Sequence, residues 1–426
     1  MTAVADLAPS VSDAPDTLDT STSSRPLSGV RVVECAVYIA APSGGTALAR
    51  LGADVIRIDP IGGAPDRGRW PVAPSGQSLY WAGLNQGKRS VVIDLRSEQG
   101  REIATELAIA PGPDAGILLH NRARRAWLDD ESLRRRRPDL VHIVVEGLRD
   151  GTPALDYTVN ARVGVPYLTG QADGAGVVNH VLPAWDLLAG ATASTALLAA
   201  LRRRDRTGLG ALARISLEDV AIAAMADLGW LADAQLSGTD RARHGNQLFG
   251  TYGDVLTTLD GQPVMVIAMT ERQWRALQSA TGTTDAFASL ADTLHLDLDS
   301  EEGRYEHRAL ISAVLARWFA EHALDETLEA LTRAGALHAA YGSLTQLARE
   351  LARPGADSVV DMVSHPGIGT VLTASSPVRL ADVEISATSA PRLGQHTAEV
   401  LATVLGLSQA EIGRLLDDGV VAGDAS

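Results

Sequence analysis

Val30–Ile58 reads VRVVECAVYIAAPSGGTALARLGADVIRI, two short apolar runs separated by a segment of small residues. Val30 to Ala36 is apolar and β-branched, Gly44 to Arg50 has helical spacing, and Ala53 to Ile58 is strand-like again. This is a βαβ unit. Outward from it the alternation continues: a strand at Ser90 to Leu95, a helix from Gly100 to Ala108, a strand at Ala115 to His120, a basic helix near Ser132, and a strand at Leu140 to Glu146. Repeated βα units predict a mainly parallel sheet covered on both faces.

Ligands of such sheets bind beyond the carboxyl ends of the strands, here after Glu34, Asp59, Asp94 and His120. Ala36 to Gly45 lacks the G-x-G-x-x-G fingerprint, which removes the main support for a nicotinamide or flavin enzyme. No P-loop or H-E-x-x-H occurs either. After Tyr157 come long Ala- and Leu-rich helices, about Pro183 to Arg204 and Leu217 to Leu236, joined through the Gly-rich turn Thr207 to Gly210. Short strands follow at Tyr252 to Thr258 and Val264 to Met269, then helices through Ala336. The expected fold is α/β: a large Rossmann-like parallel-sheet lobe plus a smaller α+β lobe. Its expected limits are a disordered tail at 1–25, a large domain at 26–215, a helical linker at 216–240, a small domain at 241–340, and a return to the large domain at 341–426.

A chain of 426 residues is too long for one ordinary core, consistent with two lobes. Its hydrophobic share of 46% against 4% aromatic means that Ala, Val and Leu fill that core. A net charge of -15 opposes nucleic-acid binding, which draws its affinity from Lys and Arg on phosphates. The arginine clusters at Arg122, Arg124 and Arg125, at Arg134 to Arg137 and at Arg202 to Arg204 suit either solvated helix faces or a small polyanion. The single cysteine, Cys35, sits in an apolar run and reads as core filler, without an internal disulfide or Cys-rich metal site. The tail has neither a basic start nor an apolar segment of the signal-peptide kind. No apolar run reaches about eighteen uncharged residues, so no membrane span is expected and the cytoplasm is the expected location.

Asp186 stands in Leu182-Pro183-Ala184-Trp185-Asp186-Leu187-Leu188-Ala189-Gly190, at the first turn of an apolar helix. Helix N-termini favour a carboxylate, so an ordinary cap is one reading. A carboxylate nucleophile is the other, since Ala189, Gly190 and Ala191 leave the backbone accessible to a bulky thioester.

Four motifs extend the reading: Pro26-Leu27-Ser28-Gly29-Val30-Arg31-Val32, Leu51-Gly52-Ala53-Asp54-Val55-Ile56-Arg57, Leu84-Asn85-Gln86-Gly87-Lys88-Arg89-Ser90 and Arg206-Thr207-Gly208-Leu209-Gly210. Through these the chain resembles the family III CoA-transferases, the CaiB/BaiF family, over nearly all its length after residue 26. The resemblance implies two lobes, an interlocked homodimer, and an aspartate nucleophile where Asp186 falls. It implies CoA contacts at Arg57, Lys88, Arg89, Asn121 and Arg125, with Lys and Arg pairing phosphates through charge-assisted hydrogen bonds. CoA then arrives as part of an acyl-CoA substrate, beside a dicarboxylate, with no tightly bound cofactor and no metal.

Related racemases carry a histidine immediately before an aspartate where Leu155-Asp156 stands here. Leucine cannot remove an α-proton, which disfavours racemisation. Asp156-Tyr157-Thr158-Val159-Asn160 and Val178-Asn179-His180-Val181, with Arg57-Ile58-Asp59-Pro60-Ile61-Gly62-Gly63 and Arg392-Leu393-Gly394-Gln395-His396-Thr397, resemble members that shift CoA between the C1 and C4 carboxyls of one C5 dicarboxylate, 2-methylfumarate. The resemblance makes Asp156, Tyr157, Asn160, Asn179 and His180 candidates for orienting the substrate carboxylates, each with the alternative of a buried polar group serving the backbone. His244, Gly245 and Asn246 can begin a covering loop. Intermolecular CoA transfer remains the nearest rival, then a racemase, and from another class a CoA-binding protein without turnover.

Overall fold

The structure, a computed structural model, describes residues 25–121 and 126–424. The tail expected over 1–25, apart from Arg25, and the cluster of Arg122, Arg124 and Arg125 lie outside the described residues. Among the described residues twelve strands run in chain order: β1 (Arg31–Cys35), β2 (Asp54–Asp59), β3 (Arg89–Ile93), β4 (Ile117–His120), β5 (Val141–Glu146), β6 (Ala211–Ser216), β7 (Tyr252–Thr257), β8 (Pro263–Ala268), β9 (Leu337–Ala340), β10 (Val360–His365), β11 (Gly369–Ala374) and β12 (Val421–Ala422). The chain divides into two compact units. The first comprises Met1–Val145, Gly190–Arg214 and Val359–Ser426, the second Glu146–Ala189 and Ile215–Ser358.

The first unit carries a seven-stranded sheet of order β12-β3-β2-β1-β4-β5-β6. β1 pairs in parallel with β2 (Val33↔Ile56, Glu34↔Arg57) and with β4 (Cys35↔His120). The βαβ reading of Val30–Ile58 is what the structure contains, with the helix at Ala40–Arg50. Val32, Val33, Val55, Ile56, Val91 and Ile93 are buried, as both faces of a parallel strand must be. Each such side chain contributes about 1.5–3 kcal/mol of burial. The C-terminal segment closes one edge, since β12 pairs antiparallel with β3, and Val400, Leu401, Ile412 and Leu415 fill the core beside Leu107 and Leu118.

The Ala184–Thr207 helix is, among the described residues, the one long and apolar enough to cross a membrane by length and composition. Its Ala193 and Leu197 are fully buried. Small residues let it approach the Ala40–Arg50 helix closely: a Cβ on Gly44 would come within 2.8 Å of the Gly190 carbonyl oxygen, and Ser194 Oγ donates to Gly44 O at 3.1 Å.

The second unit packs a three-stranded sheet, β7-β8-β9, under helices. Val264, Val266 and Ala268 alternate inward against Trp274, Phe287, Ile311, Leu315 and Phe319.

Three expectations change. The turn after the long helix leads to β6 rather than to another helix; its Ala-Leu-Ala-Arg-Ile-Ser sequence hides the strand because Leu212 shares the exposed face with Arg214, so polarity does not follow the strand period. The predicted Leu217 to Leu236 helix is two, Leu217–Asp227 and Trp230–Ser237, broken where Gly229 takes φ 73°. Residues 146–189 and 216–240 cluster with the second unit, because the Asp156–Arg162 helix packs on Leu217–Asp227 with Arg162 2.8 Å from Glu218, and the C-terminal return begins at Val359.

Candidate active site

The candidate residues form two sets, one in each unit. In the second unit they converge on the start of the Ala184–Thr207 helix. A helix leaves its first amides without internal partners. Here Asp156, buried and supplied by the Asp156–Arg162 helix, accepts from Trp185 N at 2.8 Å and from Asp186 N at 3.1 Å through Oδ2. The cap is therefore Asp156, and Asp186 lies within the first turn, half-buried. Asn160, fully buried, accepts from Trp185 Nε1 at 3.2 Å and donates to Asn179 Oδ1 at 3.4 Å. His180 brings Nε2 to 3.5 Å from Asp156 Oδ1 and its ring to 5.8 Å from that of Trp185. Tyr157 donates its hydroxyl to Val181 O at 3.3 Å. All five residues considered for carboxylate orientation thus lie around the segment that carries Asp186.

Supports hold this arrangement from further away in the same unit. Arg243 donates to Tyr167 O at 2.8 Å, to Gly174 O at 3.2 Å and to Gly176 O, tying down the stretch before Asn179. His244, expected to begin a covering loop, is anchored by Tyr305 Oη at 2.6 Å from Nε2, while Gly245 adopts φ 61°.

In the first unit, Arg57 and Lys88 are buried, and their partners are carboxylates. Arg57 makes a bidentate pair with Asp59 at 2.9 Å, reaches Asp66 at 3.1 Å and donates to Asn85 Oδ1 at 3.0 Å. Lys88 Nζ donates to both oxygens of Glu34 at 2.9 and 2.8 Å, to Pro42 O at 2.9 Å and to Asn85 Oδ1 at 3.1 Å. Burial pushes the Lys88 ammonium down to about 8, opposed by Glu34, and pushes the Glu34 carboxyl up. For Arg57 burial acts downward, and Asp59, Asp66 and Glu34 together outweigh it and raise the guanidinium further. Phosphate contact was expected of both cations. In the structure both are buried and paired with Glu34, Asp59 and Asp66.

That network reaches the strand-end crest between β1 and β4, where the sheet order reverses. Asp66 Oδ2 accepts from Tyr38 N at 3.0 Å, and Tyr38 holds φ 66°, unusual for a bulky residue. Asn121 clasps Val37 on the same crest, accepting from its N–H at 3.0 Å and donating to its carbonyl at 2.6 Å. The exposed Arg69 guanidinium sits 5.8 Å from the Tyr38 ring and 5.3 Å from that of Tyr80. Sequence reasoning passed over Glu34, Tyr38, Asp66, Arg69 and Tyr80. A glutamate inside a buried strand was the available signal.

Arg89 pairs with Asp54 at 2.7 Å and with Glu399 at 3.2 Å. Arg125 lies outside the described residues. Among the other clusters, Arg134 pairs with Asp130 at 2.8 Å, Arg135 with Glu131 at 2.9 Å and Arg136 with Glu102 at 2.9 Å, as solvated faces do, while Arg204 is buried on the carbonyls of Ala115 and Pro113. Cys35 is buried in the core.

Comparison with known proteins gives this geometry a relationship. A Chloroflexus aurantiacus protein named 2-methylfumaryl-CoA isomerase is 47% identical over 93% of this chain and 98% of its own. A formyl-CoA:oxalate CoA-transferase of Streptomyces avermitilis is 27% identical over 93% of this chain and 99% of its own. The crystal structure of a CaiB/BaiF family protein from Brucella suis superposes with a TM-score of 0.71 at 24% identity, covering 89% of this chain and 99% of that one, a likeness of fold. The sequence profile of CoA-transferase family III matches residues 27–397, and with it the chain belongs to CoA-transferase family III.

Proposed function

We propose that the enzyme moves CoA between the C1 and C4 carboxyl groups of 2-methylfumarate, with Asp186 as nucleophile. The observation that carries the reading is the 47% identity, over nearly the full length of both chains, to the protein named 2-methylfumaryl-CoA isomerase. Local chemistry supports Asp186: the capping duty that would explain a carboxylate at this helix is performed by Asp156.

Asp186 attacks the thioester carbonyl, the C–S bond breaks, and CoA leaves as thiolate, giving a mixed anhydride between Asp186 and the acyl group. The thiolate then attacks the Asp186 carbonyl, forming an aspartyl-CoA thioester and freeing 2-methylfumarate as a dianion. The other carboxylate of that dianion attacks the aspartyl thioester and expels the thiolate again. Attack of the thiolate on the acyl carbonyl of this second anhydride yields the isomeric thioester and restores Asp186. Covalent catalysis divides one difficult transfer into easier acyl transfers.

For CoA itself, Asn121 at the end of β4, Arg125 and Arg89 remain the contacts proposed, while Arg57 and Lys88 act by holding the crest through Asp66 and Glu34. Asp156, Tyr157, Asn160, Asn179 and His180 orient the carboxylates. The working unit in this reading is a cytoplasmic homodimer. Helices Trp230–Ser237 and Leu344–Leu351 bury none of their residues, and Leu236 and Leu344 are 87% and 85% exposed, apolar surface of the kind a second copy covers.

Transfer between separate acids is the second reading, favoured by the 27% identical relative named formyl-CoA:oxalate CoA-transferase. Incubation with 2-methylfumaryl-CoA alone, followed by chromatography and mass spectrometry of the C1 and C4 thioesters, separates the two. Interconversion that Asp186→Ala abolishes supports the intramolecular enzyme. Activity that begins only when a free acid is added supports the rival.

A further inference from the structure

The half-reactions above turn on Asp186, and beside it stands an unusual pair, Asp156 and His180. Asp156 is 2% exposed, and its two carboxylate oxygens do different things. Oδ2 holds the amides of Trp185 and Asp186. Among the described residues Oδ1 has no hydrogen-bond partner, and neither has the buried Nε2 of His180, yet the two atoms face each other at 3.5 Å. An Nε2–H can be directed at the Oδ1 that faces it, which leaves Nδ1 as the ring nitrogen available to a ligand. The backbone on either side is braced, since Asn160 ties both Asn179 and the Trp185 indole. The imidazole is therefore preorganised rather than swinging on a free loop.

An intramolecular transferase has a need that an intermolecular one lacks. While CoA rests on Asp186, the acyl group exists as a free dianion, and isomerisation succeeds only if that dianion stays and presents its other carboxylate. We propose that His180, backed by Asp156, holds the freed dicarboxylate through Nδ1–H during this stage and thereby keeps the transfer within one molecule. His180 is the specificity-determining group and Asp156 its positioning residue. The inference rests on the reading under Proposed function.

The test uses the full-length enzyme with unlabelled 2-methylfumaryl-CoA and added carbon-13 2-methylfumarate, and reads by mass spectrometry how much label enters the thioester for each isomerisation event. A charge-assisted hydrogen bond is worth enough that its loss raises this ratio by about tenfold or more. His180→Gln sets its amide near Nε2 and is expected to show the increase, as is His180→Ala. His180→Asn sets its amide near Nδ1 and is expected to return most of the way to the wild-type ratio. A purely structural role would not separate Asn from Gln, and thermal melts of all three variants report folding independently. The proposal is overturned if every variant keeps the wild-type ratio, if Asn and Gln behave alike, or if a folded variant loses aspartyl-CoA formation altogether. A wild-type enzyme that requires an external acid overturns both this inference and the reading beneath it, whereas an isomerising wild type with an unchanged ratio in the variants overturns this one alone.

Discussion

Lys88→Met distinguishes a buried structural cation from a phosphate contact. In the folded protein Lys88 Nζ satisfies both oxygens of Glu34, which is 0% exposed. Methionine fills similar volume but removes the ammonium, leaving Glu34 buried with its nearest remaining cation, Arg57, at 3.8 Å and already shared among Asp59 and Asp66. Breaking one partner of a buried pair costs about 3–5 kcal/mol. For a body of roughly 200 residues that lowers the melting temperature by about 6–20 °C. The Glu34→Gln, Lys88→Met double variant removes both charges and is expected to recover most of the loss, because the penalty lies in the stranded carboxylate. Thermal denaturation followed by circular dichroism gives the stabilities, and steady-state turnover gives KM for the acyl-CoA. A Lys88→Met enzyme with wild-type stability and a strongly raised KM would refute this reasoning and return Lys88 to the phosphates.

Gly44→Ala directs a methyl to 2.8 Å from the Gly190 carbonyl, forcing two helices apart at a cost of about 1–3 kcal/mol, visible as a lower urea midpoint. His142 bonds His120 at 2.9 Å and Asp130 at 2.9 Å, and burial, opposed by Asp130, holds its imidazole below the ordinary 6.5. The unfolded chain then takes up this proton more readily than the folded one, so the stability contribution is complete above about pH 6.5 and is lost as the pH falls through that range. His142→Phe is expected to flatten the acid limb of the melting-temperature profile, and an unchanged limb would exclude the residue as its source. Leu236→Glu and Leu344→Glu are expected to shift light-scattering mass from dimer toward monomer, and a wild-type protein that is monomeric at micromolar concentration would remove the dimer.

Local pattern carried much of the architecture. The apolar runs around Val32, Val55, Val91 and Ile143 and the helical spacing between them announce a parallel sheet, because strands buried on both faces cannot conceal their composition. Asp186 stands out as a candidate through the motif around it and the small residues after it. The edge strand β6 was not, since a half-exposed strand takes arginine and alanine without a clear period, nor was the break at Gly229, which a continuous apolar pattern spans.

Residue type and order were sufficient to name the two lobes, the family resemblance and the candidate nucleophile, all of which depend on neighbours along the chain. Only the tertiary structure decided what the charged groups do. Arg57 and Lys88 read as phosphate ligands because a cation in a motif looks outward until the carboxylates folded against it are known. A cap was one reading of Asp186 until Asp156 was seen to accept from the first amides of that helix. Capping, burial and charge pairing join residues distant in sequence, and their energies depend on distances and desolvation that exist only after the chain has closed on itself.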